Sequence, residues 1–102
     1  MDKIKLAFMF MVPGLNPEKD IAMIDSKNIQ FISVGVSDID DAVKTAKKLA
    51  DDGVKAIELC SAFGYKDVSR VADAVGDNVV VGVVRFDLSN SEKFKNLLRL
   101  SP

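Results

Sequence analysis

The chain has 102 residues, fourteen basic against fifteen acidic side chains, no histidine and one cysteine. That length fits one domain, residues 1–102, with a single modest core, and a near-neutral balance without a basic stripe lacks the electrostatic footprint of a nucleic-acid binder. The missing histidine rules out Ser-His-Asp and Cys-His catalysis and histidine-based zinc sites, while the lone Cys60 argues for a cytoplasmic protein over a disulfide-stapled secreted module.

Lys3 to Val12 reads as a first strand, with Leu6, Phe8 and Phe10 on one face and Ala7, Met9 and Met11 on the other. Two apolar faces predict a strand covered by helices on both sides. The following Pro13-Gly14 makes a turn rather than a signal-peptide cleavage site. Asn16 and Pro17 then suit the cap and first position of a short helix ending near Lys27, with Ile21 and Ile24 inward.

Ile29 to Val36 is expected as a second strand, near a sheet edge because it carries Gln30 and Ser33. Ser37 with Asp40 forms a capping-box pattern, followed by apolar positions at helical spacing from Ile39 to Ala50 and a stop at Gly53. On the wet face of that helix, Asp40 pairs with Lys44 and Lys47 with Asp51. Val54 to Cys60 is the third strand. Ser61 to Gly64 turns into a helix carrying Val68, Val71, Ala72 and Val75 inward, which Gly76 stops.

Asn78 to Phe86 is the fourth strand, and its run of valines predicts a central place, with Gly82 admitting a close helix backbone. Ser89 with Glu92 opens a last helix with Phe94, Leu97 and Leu98 inward. The expected fold is therefore a single three-layer α/β domain. Its mostly parallel four-stranded sheet has β-α-β-α-β-α-β-α order, flavodoxin-like with strands 2-1-3-4, and the alternative is a half-barrel that needs a partner to close. No apolar run reaches the ~18 residues that cross a bilayer, so no membrane association is expected.

Ligands of open parallel sheets bind beyond the carboxyl ends of the strands. Glu58 falls inside the third strand and Arg85 at the end of the fourth. If those strands are neighbours, the two side chains can meet, either as a structural ion pair or as an acid-base group beside an anion-binding arginine; the remaining reading is that Glu58 simply reaches solvent. Cys60, at a strand end leading into a helix, is either core filler or an activated thiol. Phe63 and Gly64 form the turn beside it. Asp87 would orient Arg85 or face a ligand, and Ser89 lies at a helix start of the kind that binds anions. Glu58 and Cys60 are thus the candidate catalytic residues, and Phe63, Gly64, Arg85, Asp87 and Ser89 the candidate ligand-binding residues.

Known cofactor patterns are missing. The chain has no G-x-G-x-x-G, no phosphate loop and no C-x-x-C, and no acidic pair follows the first strand to hold Mg²⁺ as in receiver domains. Neither a cofactor nor a metal is expected.

The stretch Ile57-Glu58-Leu59-Cys60-Ser61-Ala62-Phe63-Gly64, followed by Gly82-Val83-Val84-Arg85-Phe86-Asp87, resembles a family of short prokaryotic proteins known only as a domain of unknown function. Its pattern also has a proline-glycine after the first strand, as at Pro13-Gly14. The resemblance covers most of the chain up to Asp87. A Gly-Gly often stands in that family where this chain has Ser61-Ala62, which leaves less room here for a backbone anion site. The family transfers no activity, but it implies that the two stretches belong together.

Two functions fit these observations. One is binding of a small anionic molecule at the strand carboxyl ends, with proton transfer by Glu58 the simplest chemistry if a reaction is catalysed. The other is a non-catalytic homo-oligomer whose interface lies on the last helix, where Leu97, Leu98 and Leu100 span more than one face.

Overall fold

In the computed structural model, which describes residues 3–99, the backbone of Ile4–Met11 forms strand β1 at the centre of a five-stranded sheet. Around it the order is β2-β3-β1-β4-β5, where β2 is Ile21–Asp25, β3 Ile29–Val36, β4 Ala56–Leu59 and β5 Val80–Val83. The four strands β3, β1, β4 and β5 run parallel, and β2 pairs antiparallel with β3 at the edge. Three helices follow the last three parallel strands in turn: α1 (Ile39–Asp51), α2 (Tyr65–Val75) and α3 (Leu88–Arg99).

The order of the parallel strands is the 2-1-3-4 arrangement expected, with β4 and β5 adjacent, but three expectations are corrected. First, the segment read as a helix from Asn16 is a turn followed by β2. Asn16 closes only a single turn, its carbonyl accepting from the Lys19 and Asp20 amides and its own N–H donating to the Asp20 carboxylate. The apolar run then extends and pairs with β3 through the Ser26–Ile29 turn. A run of four such residues, Ile21 to Ile24, fits either period, and the neighbouring β3 edge decides it. The β-α-β-α opening is therefore a β-β-β-α opening.

Second, the valine-rich β5 is an edge strand, not a central one. Val81 and Val83 pack against the core, while Val80 is 70% exposed. Gly82 has open space where a side chain would stand, so no helix approaches it.

Third, the domain has two layers. α1 and α2 pack against each other and lie on the same side of the sheet, over Ala7, Met9, Ile32, Val34, Ile57 and Leu59. Alternation along the strands sends Leu6, Phe8, Phe10, Phe31, Ser33, Glu58 and Gly82 to the opposite side, and among the described residues no helix covers them. α3 does not supply the missing layer. It has no substantial packing against any strand or helix, and Leu88 and Leu97 are exposed. Leu100 and the side chain of Leu98, both assigned to the expected interface on this helix, lie outside the described residues.

Local chemistry explains the helix ends. Asp38, not Ser37, caps α1 by accepting from the Asp41 amide, and Asp41 returns the favour by accepting from the Ser37 N–H and hydroxyl. The expected capping pattern is thus displaced by one residue. Asp40 pairs with Arg70 on α2 rather than with Lys44, tying the two helices together. Gly53 and Gly76 end α1 and α2 with positive φ of 97° and 77°, a backbone form that a side chain would strain. No described helix is long and apolar enough to cross a membrane.

Candidate functional site

The register of β4 and β5 decides how the candidate residues are arranged. Glu58 stands opposite Gly82, and Leu59 opposite Val83. Glu58 therefore points to the uncovered side of the sheet, while Val81 and Val83 point to the helices. β5 ends at Val83, and the chain continues through Val84, whose amide donates to the Leu59 carbonyl.

Arg85 then crosses to the β4–α2 turn. One guanidinium nitrogen donates to the Ser61 carbonyl at 3.1 Å, and the other donates to the Phe63 carbonyl. Its guanidinium also lies 5.9 Å from the Tyr65 ring centroid. The expected meeting of Glu58 with Arg85 does not occur, because pleating separates them and backbone carbonyls occupy the guanidinium. Among the described residues Glu58 has neither an ion pair nor a hydrogen bond, and its carboxylate is exposed.

The remaining candidates have structural surroundings of their own. Cys60 is half-buried at the end of β4, its N–H donating to the Met9 carbonyl. Phe63 is fully buried and belongs to the hydrophobic core. Gly64 begins α2, its N–H donating to the Asp67 carboxylate at 3.1 Å. Asp87 begins α3, accepting from the Ser89 hydroxyl at 2.7 Å and from the Asn90 amide. The Ser89 hydroxyl, opposed by partial desolvation and assisted by the Asn90 donors, holds the Asp87 carboxyl below its ordinary value. Ser61, Phe63 and Arg85 thus come together as a clasp, Asp87 and Ser89 as a helix cap, and Glu58 stands apart.

The principal cavity lies elsewhere, on the helical side of the sheet. The edge strand β2 extends beyond the cover of α1, which leaves a groove of about 790 Å³ between them. Its floor is apolar: Ile21 and Met23 from β2, Ile32 and Val34 from β3, and Leu49 and Val54. One wall is the α1 side bearing Asp41, Lys44, Thr45 and Lys48, positions spaced to share one helix face. Lys5 lies at the far end, where its ammonium donates to the Asp52 carbonyl at 2.9 Å. Lys44 and Lys48 make no ion pair among the described residues. The Asp41 carboxylate is already engaged by Ser37.

At its upper end the groove shares Asn16, Pro17, Asp41 and Lys44 with a second hollow of about 460 Å³, which Ser37 and Leu15 also line. That end sits beyond the carboxyl ends of β1 and β3. Sequence reasoning missed the groove because it forms only once β2 is a strand. The signal available was the pairing of two lysines with a threonine on one face of the α1 pattern. Among the described residues no cluster of acidic or sulfur ligands could hold a metal ion.

No curated protein and no solved structure matches the chain. A family model does, over residues 4–99, which span every strand and helix of the fold. The chain belongs to that family, the family of unknown function DUF6506.

Proposed function

We propose that this domain binds a small amphiphilic anion, an apolar body with a carboxylate head, in the groove between β2 and α1. The observation that carries this reading is the juxtaposition of an unburied apolar floor with two ammonium groups that have no ion-pair partner among the described residues. Ile21 and Met23 are both about half exposed although they face the helical side. Burying such side chains yields roughly 25 cal/mol per Å², and the cavity volume lies within the range usual for small-molecule sites. Lys44 and Lys48 sit one helical turn apart, so a carboxylate between them takes a charge-assisted hydrogen bond from either. Binding alone accounts for these features, and the reading requires no reaction.

Titration with dodecanoate below its micellar concentration, followed by amide NMR, tests this. Shifts are expected at Met23, Ile32, Thr45 and Lys48. The double variant Lys44→Glu with Lys48→Glu is expected to weaken binding at least tenfold, the order of effect that a lost charge-assisted bond of ~1.5 kcal/mol or more carries. Dodecanol binding as well as dodecanoate, or shifts confined to the opposite side of the sheet, would contradict the reading.

A further inference from the structure

The uncovered side of the sheet is independent of the groove, which lies on the other side. It runs from Ile24 on β2, 69% exposed, across Phe31, Phe8 and Leu6 to Val80 on β5. Phe8 and Phe10 stack along its centre, ring centroids 6.4 Å apart. We propose that two copies of this chain pack these faces together, with the two-fold axis along β1, so that Glu58 of each accepts a hydrogen bond from the partner's Ser33.

Area and register argue for a second copy as the occupant. Five strands at about 4.8 Å spacing make a face roughly 24 Å wide, and strands of four to eight residues at ~3.3 Å per residue make it about 13–26 Å tall. In projection that is roughly 300–600 Å², most of the ~800 Å² per partner of a standard stable interface at its upper bound. Contiguous apolar patches of this size are unusual on a monomer.

The register supplies the polar match. Phe8 pairs with Ser33 on one side and with Glu58 on the other, so all three stand at one height across β3, β1 and β4. A two-fold rotation about β1 preserves height and exchanges the two flanks. It therefore lays Glu58 over the partner's Ser33, twice, on either side of a central pair of Phe8 rings. A carboxylate enclosed in an apolar interface is costly unless it gains such a donor, and Gly82 beside it leaves room for the side chain to reach. Sheets packed face to face lie about 10 Å apart, a gap that a glutamate and a serine span between them.

Sedimentation equilibrium of the full chain tests the assembly, and the sign of one substitution tests the register. Twice the protomer mass of 11.1 kDa is expected at micromolar concentration. Phe8→Glu is expected to give monomers with an unchanged circular dichroism spectrum, since Phe8 faces away from the core. Glu58→Ala and Ser33→Ala are each expected to weaken dimerisation at least tenfold, and the double variant no more than either alone. If Glu58→Ala instead tightens the dimer, the carboxylate has no partner and the proposed axis is wrong. A monomer at every concentration up to the millimolar range, or a Phe8→Glu protein that still dimerises, overturns the interface itself.

Discussion

Arg85 donates a hydrogen bond to the carbonyl of Phe63, the largest fully buried side chain among the described residues. With its second bond, to Ser61, it fastens the chain leaving β5 onto the turn that leaves β4. Arg85→Ala is expected to lower stability by about 1–2 kcal/mol, toward the low end because the Ser61 contact is solvent-exposed. Arg85→Lys is expected to recover less than half, since a single ammonium cannot reach both carbonyls as the planar fork does. Urea midpoints measure the loss, and faster amide exchange confined to residues 61–64 locates it. An unchanged midpoint for Arg85→Ala would show that the clasp contributes nothing.

Phe63 itself is a fully buried member of the core. Phe63→Ala is expected to cost about 3–5 kcal/mol through lost transfer energy and the cavity left behind. Against the ~5–15 kcal/mol total of a typical domain, that brings the protein near unfolding at room temperature. Phe63→Leu should cost less than half as much. Thermal melts of the two variants separate a packing role from any ligand contact, which would leave stability nearly intact.

The two strand glycines should respond in opposite ways. At Gly35 an added methyl would sit 2.7 Å from a Leu15 methyl and 3.1 Å from the Phe10 ring. Gly35→Ala is therefore expected to destabilise by about 1–3 kcal/mol through overpacking. At Gly82 nothing lies within 4 Å, and Gly82→Ala is expected to stabilise by about 0.5 kcal/mol by restricting the unfolded chain. Paired urea titrations at low protein concentration check both signs.

Acid should loosen the start of α3 before the rest of the fold. The Ser89 hydroxyl, foremost, lowers the Asp87 carboxyl below its ordinary value of 3.8. A depressed folded value means that the carboxylate's stabilisation is fully present above pH 3.8 and is lost as pH falls through the lowered value. The amide signals of Ser89 to Ser91 are expected to shift and exchange faster in that window. Ser89→Ala should move the transition upward, toward 3.8, and Asp87→Asn should abolish it. A transition in the Asp87→Asn protein at the same pH would assign the effect to another group.

The parallel strands were legible because each carries its own period and its own turn residues, and the βα rhythm restricts the order in which they pair. β2 was not. Asn16-Pro17 is as good a start for a turn as for a helix, and Ile21-Ala22-Met23-Ile24 has no polar residue to fix its period. The absence of the expected third layer was hidden for a related reason. Phe8, Phe10 and Phe31 look identical in sequence whether they meet a helix, another sheet or solvent. The adjacency of β4 and β5 was read correctly, but the side on which Glu58 emerges depends on the parity of pairing, which shifts with a single residue of register. Arg85 could be marked as a residue needing acceptors, but not that backbone carbonyls would provide them.

The central position of β1 has a kinetic consequence. Both of its neighbours, β3 and β4, are encoded after it, so during synthesis β1 emerges before either of its mates. The β2–β3 hairpin closes locally through Ser26–Ile29 and can form as soon as it leaves the ribosome. Until that hairpin docks alongside it, the stretch Leu6-Ala7-Phe8-Met9-Phe10 is bare on both edges and both faces. The nascent domain is thus expected to be most exposed to mispairing between the emergence of β1 and the completion of β3.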